Sequence, residues 1–275
     1  MTRIAVIFAL CCLATAGFAL PVAAPRPGGI AIVELGASGA RPRATYDGSP
    51  VLVRRDGDAW YAVVGLSLRA EPGRHSIDVT AGDARRSVAF DVQQHDYREQ
   101  HLEVERKYVA PDAEALERIG RERQVIDAAL AGFSEREPDS LRFAAPVPGR
   151  QSPSFGFRRV FNGEPRAPHS GMDIAAPAGT PILAPLAGTV AVTGDFYFNG
   201  NTVIVDHGRG LVTLYCHLDR IDVRDGEGVA VGARLGLVGA TGRVTGAHLH
   251  FGTYLNGNAV DPALFLASDS VGSSP

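Results

Sequence analysis

Between residues 143 and 266 this chain offers almost no stretch that could become a helix. Glycine and proline recur throughout, and short runs of β-branched and aromatic residues lie between them. Glycine costs a helix backbone entropy, and proline removes a donor and clashes with the preceding turn. The runs at 188–193, 202–206, 211–217, 234–238 and 248–254 have strand length and composition. Runs of this kind, punctuated by turn residues, build sheets. The expectation for 143–266 is therefore an all-β domain, an antiparallel sandwich or partly open barrel.

The upstream part divides into three. Residues 1–24 read as a secretory signal peptide. A short basic lead, Met1-Thr2-Arg3, precedes an almost wholly apolar stretch over 4–20, with small-residue cleavage patterns at Gly17-Phe18-Ala19 and Val22-Ala23-Ala24. Uncut, the stretch is barely long enough to anchor the protein in a bilayer. Residues 25–105 carry β-type runs at 30–33, 60–64, 76–79 and 87–92, separated by Asp56-Gly57-Asp58, Pro72-Gly73 and Ala81-Gly82-Asp83. That spacing suggests a small Ig-like β-sandwich. Residues 106–142 form a helical connector. Leu116, Ile119, Ile126, Leu130 and Phe133 fit one helix face, Pro111 and Asp112 mark a start, and Gly120 and Arg123 weaken the stripe. Pro146-Val147-Pro148-Gly149 reads as a linker, and 267–275 as a flexible tail.

Cys11 and Cys12 lie in the leader, so the mature chain would keep only Cys216. An exported chain with one cysteine has no internal disulfide framework. The net charge of −3 gives no nucleic-acid footprint.

Chemistry-bearing residues gather in the C-terminal part. His248 and His250 are two apart in a strand-like run, so they share a face, with Leu249 and Phe251 turned toward the core. His169 and Asp173 are four apart. Extended, that span is roughly 13 Å, too far for two ligands of one metal, so the chain must curl, with Gly171 supplying conformational freedom. In the run 211–217, alternation sets Thr213, Tyr215 and His217 on one face and Val212, Leu214 and Cys216 on the other. By that count Cys216 faces the core, away from any metal. His207, in Asp206-His207-Gly208-Arg209-Gly210, reads as a hairpin-turn residue, with Asp206 capping the turn. His75, His95 and His101 stand alone.

The order His-x-x-x-Asp, Tyr-x-His-Leu and His-x-His-Phe resembles the lysostaphin-type (LytM-like) zinc endopeptidases that cut peptidoglycan peptides. Five further stretches agree: Ser154-Phe155-Gly156-Phe157-Arg158, 179–185, Gly188-Thr189-Val190, 200–208 and 229–242. The resemblance covers about 150–266. It implies a lysostaphin-like fold built on a duplicated hybrid motif. It also implies one Zn2+ per chain held by His169, Asp173 and His250, with His217 and His248 as catalytic partners. Ala247 stands where Ser or Pro is more usual, and Cys216 where Ala or Gly is more frequent. Activity on peptidoglycan cross-bridges follows from the same resemblance, and the leader suits a place in the periplasm or cell envelope. The loops 157–168 and 196–201 are expected cleft walls, and the N-terminal module is a candidate surface for a regulatory protein.

Two other classes were weighed. One is a non-catalytic or autoinhibited relative that binds peptidoglycan or activates another hydrolase; a degenerate, non-catalytic one would be expected to lack ligand residues, and all five are here. A lipoyl- or biotinyl-type carrier needs an attachment lysine, and the only lysine is Lys107, outside 143–266.

Overall fold

The computed structural model describes residues 20–37 and 39–266. Most of the leader (1–19) and the tail (267–275) lie outside the described residues.

The N-terminal strands are β1 (Ile30–Gly36), β2 (Arg43–Tyr46), β3 (Ser49–Pro50), β4 (Leu52–Asp56), β5 (Ala59–Gly65), β6 (Gly73–Ala81) and β7 (Ala84–Val92). They form two antiparallel sheets, ordered β1-β5-β4 and β3-β2-β6-β7. Ala31, Val33, Leu35, Ala62 and Val64 fill the space between them with Tyr46, Ile77 and Val79. The first sheet is buried on its other face too, because Ile30, Leu52 and Val63 join the C-terminal core. Burial on both faces accounts for the nearly continuous apolar run Trp60–Val64. The outer hairpin β6–β7 has one solvent face, and Ile77 and Val79 alternate there with exposed residues. Side-chain amides tie the halves together: Gly65 N–H donates to Asn256 Oδ1 (2.7 Å), and Asn256 Nδ2 returns a bond to the Gly65 carbonyl (3.0 Å).

Between the halves come β8 (Glu99–Leu102), α1 (Arg106–Val109) and α2 (Ala113–Leu130). Asp112 caps α2 by accepting from the Ala115 N–H at 2.8 Å. Only the C-terminal end of its apolar stripe is covered. Leu130 is buried with Ile126 and Ala129 beside it, whereas Leu116 is 56% exposed.

The C-terminal strands are β9 (Arg150–Gln151), β10 (Arg158–Phe161), β11 (Glu164–Pro165), β12 (Met172–Ala175), β13 (Pro181–Leu183), β14 (Gly188–Phe196), β15 (Gly200–Gly208), β16 (Leu211–Ile221), β17 (Gly228–Val229), β18 (Arg234–Val238), β19 (Leu249–Leu255) and β20 (Asn258–Val260). Ten of them form one open sheet with the path β17-β14-β15-β16-β19-β12-β9; it does not close into a barrel. Strand β8, at the end of the stretch assigned to the N-terminal module, pairs in parallel with β10. Its partner is some sixty residues on in sequence, so no local pattern announces it.

Among the described residues, four two-residue hairpins end in glycine with both residues at positive φ: Asp47-Gly48, Asn162-Gly163, Arg209-Gly210 and Asn256-Gly257. That geometry matches the twist of the strands it joins. The central strands β15, β16 and β19 are buried on both faces. Val203, Val205, Tyr215, Leu249 and Phe251 face the main core, and Ile204, Val212, Leu214, Cys216 and Tyr254 face α2.

Candidate metal centre and active site

Register assembles half of the site. Asp173 on β12 lies directly opposite His250 on β19, and His250 opposite Cys216 on β16. Opposed residues share a face of the sheet. His169 reaches the same point because the chain bends before β12. Its N–H donates to the Phe157 carbonyl (3.0 Å), and its carbonyl accepts from Gly156 N–H (2.8 Å). The curl required of 169–173 is present, but Gly171 serves it differently from expectation. Gly171 is not at positive φ. A Cβ there would lie 2.7 Å from Cε1 and Nε2 of His250, so glycine is needed for space beside the imidazole rather than for torsional freedom.

Three ligand atoms converge. His169 Nε2 lies 2.9 Å from His250 Nδ1 and 3.2 Å from Asp173 Oδ1, and His250 Nδ1 lies 3.0 Å from that oxygen. Tetrahedral zinc with ligands at about 2.0–2.1 Å would set them roughly 3.3 Å apart. The donor set points the same way. His169 Nδ1 faces the Ser154 carbonyl at 3.1 Å, which can only accept, so the proton sits on Nδ1 and Nε2 offers a lone pair. That lone pair faces a carboxylate oxygen and a second ring nitrogen. One proton cannot serve all three sides of this triangle, whereas one cation at its centre can. Burial pushes the His169 pKa down to about 4, outweighing the nearby Asp173 carboxylate, so the ring is neutral at pH 7, the ligand form. Burial works against the Asp173 carboxylate, but the adjoining His169 and His250 rings hold its pKa well below the usual range. The second Asp173 oxygen lies 3.5 Å from an Arg159 nitrogen. Among the described residues this is the one group of three or more that could hold a metal.

His217 and His248 flank this centre. Their ring centroids are 5.0 Å apart, and His217 is 6.0 Å from His250. His217 Nδ1 bonds to the Thr241 carbonyl and His248 Nδ1 to the Gly246 carbonyl, both at 2.9 Å. Both protons are thereby fixed on Nδ1, and both Nε2 atoms carry lone pairs. His248 Nε2 lies 3.7 Å from Asp173 Oδ1. Burial, then the neighbouring His250 and His248, push the His217 pKa down to about 3.

The face assignment on β16 needs correction. Alternation holds through Cys216, but the site lies on the Cys216 side, opposite Thr213 and Tyr215. His217 reaches it because its backbone turns into the left-handed region at φ 68°, breaking the alternation. Cys216 is therefore beside the site. It is no part of the convergent group, and burial pushes its thiol up to about 12. His207 also differs from expectation. It lies inside β15 and is fully buried, with Nδ1 on the Ala187 carbonyl (3.0 Å) and Nε2 on Thr213 Oγ1 (2.7 Å). Asp206 does cap the turn, accepting from Gly208 N–H at 2.8 Å.

The five residues line a cavity of about 430 Å³ and an adjoining one, which share Tyr108, Arg159, Phe161, Arg243, His217 and His250. Arg159, Phe161, Arg166 and Phe198 place the two expected loops in the walls. Sequence reasoning missed the wall formed by Gln100, Leu102, Val104 and Tyr108, and it missed Arg243. The one signal for Arg243 is its position directly after the Thr241-Gly242 turn.

Comparison with known proteins follows the same outline. The peptidase family M23 model matches residues 167–262, and the M23 N-terminal domain model matches 23–95. Over 135 residues the chain is 38% identical to peptidoglycan DD-endopeptidase ShyA of Vibrio cholerae serotype O1, covering 47% of this chain and 31% of that protein. Over 94 residues it is 43% identical to DD-carboxypeptidase/endopeptidase Mpg of Neisseria meningitidis serogroup B, covering 34% of this chain and 22% of that protein. The matched stretches thus span less than a third of these curated relatives. A crystal structure of a peptidase M23 from Pseudomonas aeruginosa matches with a TM-score of 0.77 and 42% identity, over 92% of this chain and 97% of that one.

Proposed function

The chain belongs to peptidase family M23, a metallopeptidase family, and we propose that it is an exported zinc endopeptidase hydrolysing D,D peptide cross-links of peptidoglycan. The observation that carries this reading is the convergence of three ligand atoms and two further imidazoles on one cleft. The bond class is supported by the names of relatives 38–43% identical over 94–135 residues, a DD-endopeptidase and a DD-carboxypeptidase/endopeptidase.

His169 Nε2, Asp173 Oδ1 and His250 Nδ1 would hold a zinc ion, which would supply a Lewis acid for the scissile carbonyl and an acidified water. One carboxylate between two neutral imidazoles leaves the centre net positive. His217 and His248 each present a basic Nε2 to the cleft while Nδ1–H is anchored on a backbone carbonyl. A proton taken from the attacking water therefore arrives at Nε2, and the same atom can return it to the leaving amine. The carbonyl on Nδ1–H stabilises the transient imidazolium and keeps the ring from rotating.

Export is supported by the basic lead and apolar run of the leader. The two cleavage patterns differ in consequence. Val22 N–H donates to the Leu264 carbonyl, and Ala24 pairs with Ile30. Cutting after Ala19 preserves both pairings and cutting after Ala24 removes them, so the mature chain is expected to begin at Leu20. An N-terminal sequence beginning at Pro25 would refute that.

Digestion of purified cross-linked sacculi, with products identified by mass spectrometry, tests the function. The wild type should convert D,D-linked dimers to monomers, and His248→Ala should leave the dimers intact. Identical fragments from both would place the chemistry elsewhere. Stoichiometric zinc in a wild type that cuts nothing would favour a wall-binding or activating role instead.

A further inference from the structure

Among the described residues, Arg243 is a cation without a counter-ion in the wall of the cleft. The turn that carries it is fixed. Gly242, at φ 74°, packs so closely on the hairpin at Gly200 that a Cβ would lie 2.4 Å from the Gly200 nitrogen. Thr241 Oγ1 accepts from Asn201 N–H (2.9 Å) and donates to the Leu218 carbonyl (2.8 Å). Arg243 N–H donates to the Phe198 carbonyl (2.9 Å), and the Tyr108 hydroxyl to the Gly242 carbonyl (2.9 Å). The guanidinium sits between two rings, 4.4 Å from the Phe198 centroid and 4.8 Å from that of Phe161. Such stacking holds the plane of the group without neutralising its charge.

The neighbouring arginines differ. Arg159 faces Asp173, Arg166 faces Glu164, and Arg118 faces Glu122 and Asp195. Among the described residues no carboxylate lies within 4.0 Å of Arg243. Burial, and then the like charges of Arg159 and Arg166, depress its pKa to about 10. A partly buried charge without a partner costs folding free energy. The two ring contacts recover part of that cost but leave the charge without a counter-ion among the described residues. Arg159 adds a buried Nε that also lacks a partner. Both side chains line the cavity that contains His217 and His250.

We propose that Arg243, with Arg159 behind it, is a carboxylate-binding subsite that takes a free carboxylate of the substrate peptide beside the bond to be cut. A peptide carboxylate fits the fork of a guanidinium with two parallel bonds. It would supply the missing counter-charge only when substrate is bound, and Arg243 thereby becomes a specificity determinant. The inference rests on the peptidase reading above for the identity of the peptide.

The test compares two D,D-cross-linked muropeptide dimers, one with its stem carboxylates free and one with them amidated. Wild type should favour the free acid about 10- to 100-fold in kcat/KM, the range for a hydrogen bond to a charged group. In Arg243→Gln and Arg243→Ala the ratio should collapse toward one, chiefly through a higher KM for the acid, and Arg243→Lys should restore part of it. Bound zinc per chain reports that each variant is folded. Equal rates on both dimers in wild type, or a preference that survives in both variants, would overturn the subsite. If wild type cuts neither dimer, the peptidase reading has failed separately. Calorimetry with the two dimers then decides the subsite alone: tighter binding of the acid that is lost in Arg243→Gln sustains it, and equal binding overturns it.

Discussion

Strand β16 serves two sets of histidine chemistry, one on each side of the sheet, and the two are built oppositely. On the core side His207, Thr213 and Tyr215 form a closed chain. The His207 Nδ1–H ends on the Ala187 carbonyl, so Nε2 must accept from the Thr213 hydroxyl, and the Tyr215 hydroxyl, 2.9 Å from Thr213 Oγ1, must donate to it. Each hydrogen has an acceptor, and all three residues are fully buried. On the cleft side, His169, His250 and Asp173 aim acceptors at one another, and His217 and His248 leave Nε2 open. Burial does not separate the two groups, since His169 and His207 are 3% and 0% exposed. What separates them is whether the acceptors already have partners. The closed chain adds stability and specifies the core, and the open cluster leaves positions for a cation and a proton.

Breaking either side should have a distinct signature. The largest effect is expected from His250→Ala or Asp173→Ala, which remove a ligand and should bring dimer cleavage to background. Next, His217→Ala and His248→Ala should each lower kcat by about 10²- to 10⁴-fold, the range for loss of a general acid or base, with little change in thermal midpoint. His207→Ala should invert that pattern. It leaves the Thr213 hydroxyl and Ala187 carbonyl unpaired, at about 1–3 kcal/mol for each group. Urea unfolding should show the loss while turnover at temperatures where the protein is folded persists.

A pH series sharpens the contrast. Burial holds the His207 pKa at about 4, below its ordinary value of 6.5. The unfolded chain therefore binds the proton first. This contribution is fully present above pH 6.5 and is lost as pH falls toward 4, on the order of 3 kcal/mol in total. The difference in urea midpoint between wild type and His207→Gln should therefore shrink from pH 7 to pH 4, and a constant difference would contradict the account. The smallest effect is expected at Cys216. Its buried thiol should resist iodoacetamide in the native protein, and Cys216→Ala should cost about 1 kcal/mol and leave turnover in place.

The parts of this arrangement legible in sequence are those with a local period. His248 and His250 share a face because strands repeat every two residues, the Asp112 cap marks the start of α2, and Asp-Gly and Asn-Gly mark hairpins. The misread parts depend on distant partners or on one torsion. His217 crosses the sheet through its own φ, and the same error put Cys216 on the wrong side. Gly171 is small because of a ring some eighty residues away. His207 looked like a turn residue because its partners, Ala187, Thr213 and Tyr215, come from neighbouring strands and a loop. Strand β8 carries no local signature and Arg243 only its place after the Thr241-Gly242 turn, so both become visible only once the cleft is assembled.

The central claim is a division of labour, in which three residues hold the ion and two move protons. Bound zinc per chain, measured side by side on purified His248→Ala and His250→Ala, tests it most directly. The account predicts one zinc on His248→Ala, equal to wild type, and none on His250→Ala. Loss of the ion from His248→Ala with retention on His250→Ala would contradict it.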